Sequence, residues 1–294
     1  PPLLSILALQ LEPSGILHSG GRNFLPHVGE RGEVMKTVIL AGGRGTRISE
    51  ESGTKPKPMV TIGDMPILWH IMKIYSHYGF REFVVCCGYK SYVIKDYFKN
   101  YFIRQSDVTF DYTDNGVRMI HDVEVEPWKV TLVETGMENM TGSRIKQIQR
   151  YIPEGESFML TYGDGVSDVD IGRLIEHHQR CGTIATVTAV QPPAKFGVLD
   201  IDDASKVHQF MEKPQADAGW INGGFMVMNY GVFDYLNDDP MLIFEQAPLE
   251  SLARDGELSA YKHQGFWQPM DTLRDKLKLE KMWQEKAAPW KIWD

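Results

Sequence analysis

Residues 38–47 read VILAGGRGTR. An apolar run breaks into a loop that carries Gly42, Gly43 and Gly45 and ends in Thr46-Arg47. A short apolar run bounded by glycines reads as a buried strand. In an open α/β sheet, ligands bind beyond the C-terminal ends of the strands, and this loop lies at such an end. Glycines there let backbone amides approach phosphate oxygens with no Cβ in the way. The common glycine-loop templates do not fit. GxxxxGK[ST] is absent, and GxGxxG fails because Ile48 stands where its last glycine would be. A tight strand-to-helix turn accounts for the glycines but leaves Thr46 and Arg47 unexplained.

Outward from this loop the chain alternates strand and helix patterns. KTVILA and EFVVCC read as buried strands, while PILWHIMKIYSHYG (66–79) has helical apolar spacing and closes on a glycine. SYVIKDYFKNYF reads as one helix, and SRIKQIQRYI and DIGRLIEHHQRCG as two more. SFMLTYGDG is a strand ending in an acidic turn, and TIATVTAV is a strand. The segment 107–134 holds short strand-like runs, either part of the sheet or an insertion beside it. FGVLDID, KVHQFMEKP and WINGGFMVMN keep strands in the second half, and a last helix is expected from about Asp271 to Lys286. This pattern predicts an α/β fold: a Rossmann-like, mainly parallel or mixed sheet flanked by helices on both faces.

Bulk properties bound the function. The chain has 294 residues, a formal net charge of -8 and a sequence pI of about 5.6. A general nucleic-acid binder needs a basic surface, so that class is disfavoured. No stretch approaches the roughly 20 apolar residues of a membrane span. The cysteines are Cys86, Cys87 and Cys181, a sparse odd set that suggests reduced thiols in the cytoplasm. Residues 1–34 show little periodicity and lack a secretory pattern, and Met35 begins MKTVILAGG. Residues 1–34 are therefore expected to be a disordered upstream or non-native extension, with one catalytic domain over 35–294.

Further along comes TKPKPMVTIGDMPIL. Pro56 and Pro58 hold the backbone beside Lys55 and Lys57 in a stiff extended segment, an unusual setting for solvated lysines. With Arg47 and the glycine loop they make a polyphosphate site. Downstream, Asp164 ends a strand in GDG and Asp271 precedes the last helix. Two carboxylates and phosphate oxygens make a hard-oxygen site suited to Mg²⁺, although sequence distance does not show that they meet. An acidic turn at Asp164, or an N-cap at Asp271, is the plainer alternative. A metal-dependent glycosyltransferase would also use strand-end acids, but its Asp-x-Asp is replaced here by Gly163-Asp164-Gly165.

LAGGRGTR, KPKPM and GDMPIL together resemble the sugar-phosphate nucleotidyltransferases from Met35 to the C-terminus. CCGYKSYVIKDYF, MTGSR, TYGDGVSDVDI, INGGF and GFWQPMDTLRDK resemble the branch that couples CTP to glucose 1-phosphate. The resemblance implies the nucleotide-diphospho-sugar transferase fold and the release of pyrophosphate. It implies a nucleotide site of Leu40, Ala41, Gly42, Gly43, Arg44, Gly45, Thr46, Arg47, Lys57, Thr141, Gly142, Arg144, Gly163 and Asp164. Lys57 and Arg47 are the implied catalytic residues, Lys57 at the α-phosphate and Arg47 at the departing pyrophosphate. Mg²⁺ falls to Asp164 and Asp271. Lys213, followed by Pro214, is implied for the sugar phosphate, with Asn222, Gly223 and Lys195 completing the sugar side. Selection of CTP over UTP or dTTP rests on the resemblance alone, as does the expectation of a homo-oligomer.

Overall fold

The computed structural model describes residues 35–45, 48, 53–113, 117–121, 125–191, 198–201, 207–211 and 219–293. Residues 1–34, Thr46, Arg47, Lys195 and Lys213 lie outside the described residues. In chain order the first elements are β1 (Thr37–Ala41), β2 (Thr61–Ile62), β3 (Met65–Pro66), α1 (Ile67–His77), β4 (Glu82–Cys87), α2 (Ser91–Lys99) and α3 (Tyr101–Gln105). Next are β5 (Asp107–Asp111), β6 (Val117–His121), β7 (Lys129–Glu134), α4 (Thr141–Gln147), β8 (Ser157–Tyr162), β9 (Gly165–Ser167) and α5 (Ile171–Cys181). Then come β10 (Ala185–Val190), β11 (Val198–Ile201), β12 (Val207–Met211), β13 (Ile221–Asn222), β14 (Met226–Asn229), α6 (Ala247–Arg254), β15 (Leu258–His263), β16 (Trp267–Pro269) and α7 (Leu273–Gln284).

Among the described residues, eight strands form one sheet in the order β13-β10-β14-β8-β1-β4-β7, with β15 also pairing β10. The block β8-β1-β4-β7 is parallel, while β14 runs antiparallel to both β8 and β10. The sheet is mixed and flanked by helices, as the alternation of patterns predicts. Strand β1 is buried along its whole length, and its pleat divides the core. Ile39 and Ala41 pack with Ile67, Ile71 and Tyr75 of α1 and Leu174 of α5 on one face. Val38 and Leu40 pack with Ile145 of α4 and Leu252 of α6 on the other. Because both faces of β1 are covered, its sequence is a continuous apolar run rather than an alternating one.

The register of the parallel block creates the site. Leu40 lies level with Tyr162 of β8, Ala41 with Cys87 of β4, and Cys87 with Glu134 of β7. The segments leaving β1, β4, β7 and β8 therefore emerge together at one sheet edge.

Several expectations meet local differences. SYVIKDYFKNYF is not one helix. Its first part ends at Asn100, whose amide donates to the Asp96 carbonyl and carboxylate, and α3 follows. Of the strands in 107–134, β7 joins the sheet edge, whereas among the described residues β5 and β6 pair only with each other. The last helix begins at Leu273, and its N-cap is Thr272 rather than Asp271. Asp170 caps α5, accepting from the Arg173 amide at 3.0 Å.

Candidate active site

The emerging segments enclose a cleft of about 320 Å³. It is lined by Leu40, Ala41, Gly42, Gly43 and Gly45 from the first strand and its loop, and by Lys57 and Pro58 from the proline-lysine segment. Asn139, Met140, Thr141 and Arg144 come from the start of α4, and Tyr162, Gly163 and Asp164 from the end of β8. Gly163 is held in place by its amide, which donates to the Leu40 carbonyl at 2.9 Å. A Cβ at this position would stand 2.9 Å from that oxygen and 3.0 Å from Pro58, so only glycine allows the two strand ends this closeness.

Lys57 opens a single 3-10 turn, Lys57–Met59, set by Pro56 as its N-cap and Pro58 within it. The residue is 7% exposed. Its ammonium donates to Asp164 Oδ2 at 2.6 Å and to Asp271 Oδ1 at 2.7 Å. The two carboxylates are 107 residues apart in sequence, and a short ladder joins them. Strand β16 pairs antiparallel with β9, placing Pro269 against Gly165, and the Met270 amide donates to the Asp164 carbonyl at 2.8 Å. Thr272 then caps α7 through a reciprocal capping box with Asp275. With the capping done by Thr272, the Asp271 carboxylate is left to face Lys57.

Two carboxylates converging on one cation are a hard-oxygen pair. They fit a divalent ion that takes its remaining ligands from phosphate oxygens and water. Among the described residues, no group of three or more His, Cys, Asp or Glu side chains converges as a self-sufficient metal site. The fit therefore depends on bound phosphates.

Arg144 lines the cleft, but its guanidinium turns into the protein. It donates to the carbonyls of Cys87 at 3.3 Å, Gly136 at 2.8 Å, Gly42 at 3.1 Å and Met137 at 3.5 Å, and to the Thr135 hydroxyl at 2.7 Å. Burial lowers its pKa from the ordinary arginine value. One side chain thus ties the glycine loop to the ends of β4 and β7. A Cβ on Gly42 would come within 2.1 Å of its Nη1, so Gly42 is glycine partly to admit this arginine.

The remaining expected residues are distributed as follows. Arg44 reaches out of the loop to an ion pair with Glu138, with both side chains largely exposed. Gly142 faces Leu242, whose Cγ would lie 2.7 Å from an added Cβ, and Gly223 likewise faces Val190. Asn222, on β13, donates to the Tyr162 hydroxyl at 3.2 Å and so joins that strand to the cleft lining. Trp267 donates to the Gly223 carbonyl at 2.7 Å, which anchors the same strand. Tyr162, Asn139 and Met140 line the cleft without having been singled out from sequence. Tyr162 directly precedes the GDG turn, and that proximity was the available signal.

A family model described as nucleotidyl transferase matches residues 36–271. The chain is 55% identical over 260 residues to a glucose-1-phosphate cytidylyltransferase of Salmonella typhi, covering 88% of this chain and 100% of that protein. It is 46% identical over 259 residues to a probable glucose-1-phosphate cytidylyltransferase of Bacillus subtilis, with the same coverage. Among solved structures, HddC from Yersinia pseudotuberculosis matches with a TM-score of 0.61 and 26% identity, over 85% of this chain and 100% of that one. A glycine-loop cleft at the sheet edge, a lysine shared by two strand-end carboxylates, and these full-length relatives agree: the chain belongs to the nucleotidyl transferase family.

Proposed function

We propose that this protein is a glucose-1-phosphate cytidylyltransferase, transferring CMP from CTP to α-D-glucose 1-phosphate with release of pyrophosphate. The meeting of Lys57, Asp164 and Asp271 beside the glycine loop carries the chemistry. Identity to the Salmonella relative over its whole length supports the choice of base and sugar.

In this reading the glycine loop cradles the triphosphate, with Gly42, Gly43 and Gly45 exposing backbone to it. A phosphate oxygen of glucose 1-phosphate forms the new bond to the α-phosphorus. The bond from that phosphorus to the oxygen bridging toward the β-phosphorus breaks, and its electrons leave with pyrophosphate. The attacking phosphate is already ionised near pH 7, so no strong base is needed. Catalysis then consists of alignment and charge neutralisation. The Lys57 ammonium exchanges its carboxylate partners for α-phosphate oxygens, where its charge offsets the charge that develops. Arg47 is assigned to the departing pyrophosphate, Lys213 to the nucleophilic phosphate, and Asn222 and Lys195 to the sugar. The metal of this reading is Mg²⁺, which Asp164 and Asp271 would hold and which would supply further neutralisation of the phosphates. The reading places the catalytic domain from residue 35 onward and the activity in the cytoplasm. No helix among the described residues is long and apolar enough to cross a membrane. Exposed Phe102, Phe110 and Tyr112 support a homo-oligomer.

The test is incubation with Mg²⁺, glucose 1-phosphate and each of the four nucleoside triphosphates, with pyrophosphate measured. Release with CTP is expected. Silence with CTP, or preference for UTP or dTTP, overturns the reading, and release of a free nucleoside diphosphate from a supplied nucleotide sugar would instead point to a glycosyltransferase.

A further inference from the structure

Behind the cleft lining, Glu245 precedes α6 and accepts two hydroxyl hydrogen bonds. Its Oε1 accepts from Tyr162 at 2.5 Å and its Oε2 from Thr141 at 2.6 Å. Both donors line the cleft, and Glu245 itself does not. The chain of bonds continues. The Tyr162 hydroxyl accepts from Asn222 at 3.2 Å, and Asn222 Oδ1 accepts from the Gly224 amide at 2.9 Å. On the other side, the Thr141 hydroxyl accepts from the Phe244 amide at 2.9 Å, while the amides of Met140 and Gly142 donate to the carbonyls of Pro240 and Leu242. The segment carrying Glu245 is therefore fastened to the start of α4 at several points, and its carboxylate is held still.

The chemistry requires a carboxylate. Two hydroxyls each need an acceptor, and an ionised carboxylate offers two oxygens with no competing hydrogen. The two short contacts make each hydroxyl the donor to its own carboxylate oxygen. With its proton committed to Glu245, the Tyr162 oxygen is oriented to receive Asn222.

We propose that Glu245 is a positioning residue that locks the nucleotide wall of the cleft, at Thr141, and the sugar-side asparagine, through Tyr162, into one unit. The inference rests on the proposed cytidylyltransferase reading, because it takes Thr141 to face the nucleotide and Asn222 the sugar. Glu245→Gln keeps the size but offers a single acceptor oxygen, for which the two hydroxyls compete, so neither is held as the carboxylate holds it. Tyr162→Phe keeps the ring and cuts only the branch toward Asn222.

The experiment measures KM for CTP and for glucose 1-phosphate separately, with kcat, in the full chain and in Glu245→Gln, Tyr162→Phe and the double variant. Glu245→Gln is expected to raise both KM values about tenfold, the size of one charge-assisted hydrogen bond. Tyr162→Phe is expected to raise only the glucose 1-phosphate KM. In the double variant that KM should match Tyr162→Phe alone, because both changes break the same connection. A role confined to stability would lower the unfolding midpoint and leave the KM values alone, which overturns the proposal. Effects of Glu245→Gln on one substrate only, or full additivity in the double variant, overturn it as well. Those failures leave pyrophosphate release by the unaltered protein intact. Absence of that release removes the parent reading and this inference together.

Discussion

Two buried cations line the same cleft and are held in opposite ways. Lys57 is paired with two carboxylates, Asp164 and Asp271. Arg144, 4% exposed, is held by four backbone carbonyls and one hydroxyl. The lysine's partners are charged: an incoming phosphate would compete with them for the lysine, and a metal ion would compete with the lysine for them. An ammonium on a flexible stem can exchange one set of oxygens for another. The arginine's planar fork is satisfied by dipoles drawn from three chain segments, and moving it would strand all of them. Lys57 can trade its partners, whereas Arg144 holds the shape of the cleft.

The largest expected effect tests the acting side. Lys57→Ala should lower turnover about 10²–10³-fold, the usual loss when a charge-stabilising donor is removed. Lys55→Ala should stay within a few-fold, and equal losses measured at saturating CTP would break the distinction between the two lysines.

The building side predicts a loss of stability rather than of chemistry. Arg144→Lys retains the charge but loses the fork, and should cost about 3 kcal/mol in urea unfolding. Gly42→Ala puts a Cβ 2.3 Å from the Arg144 Cζ and should cost about 1–3 kcal/mol by overpacking. Once Arg144 is alanine, much of the Gly42→Ala cost should vanish. Strict additivity of the two would show that the arginine does not shape the loop.

The smallest expected effect sharpens the acting side. Thr272→Ala removes the capping box that frees Asp271, and should cost about 1 kcal/mol of stability. Turnover should fall modestly with it, and a change in turnover without any in stability would point to a direct role for Thr272.

Much of this site was legible because its parts are local. VILAGG predicts β1 and its loop through apolar run and glycine, and PILWHIMKIYSHYG predicts α1, whose following Gly79 has φ +88°. KPKPM marks a stiff lysine segment because proline restricts its own backbone and that of the residue before it. SYVIKDYFKNYF reads as one helix because its apolar spacing runs on past the point where Asn100 turns its amide back onto Asp96. The inward turn of Arg144 and the place of Glu245 left no local signal. Thr-Gly-Ser-Arg also reads as a helix start, and Phe-Glu-Gln-Ala as an ordinary segment before a helix.

By itself the sequence determined the strand-loop edge, the mixed sheet and, through its motifs, the family. Each is written in neighbours a few residues apart, where periodicity and restricted backbone angles act. Only the tertiary structure decided which groups meet. Lys57 finds Asp164 across 107 residues and Asp271 across 214, while Arg144 reaches Gly42 across 102. Those meetings follow from the register of the parallel block and the β9–β16 ladder. A hydrogen bond of about 3 Å depends on distances in space that residue order does not encode.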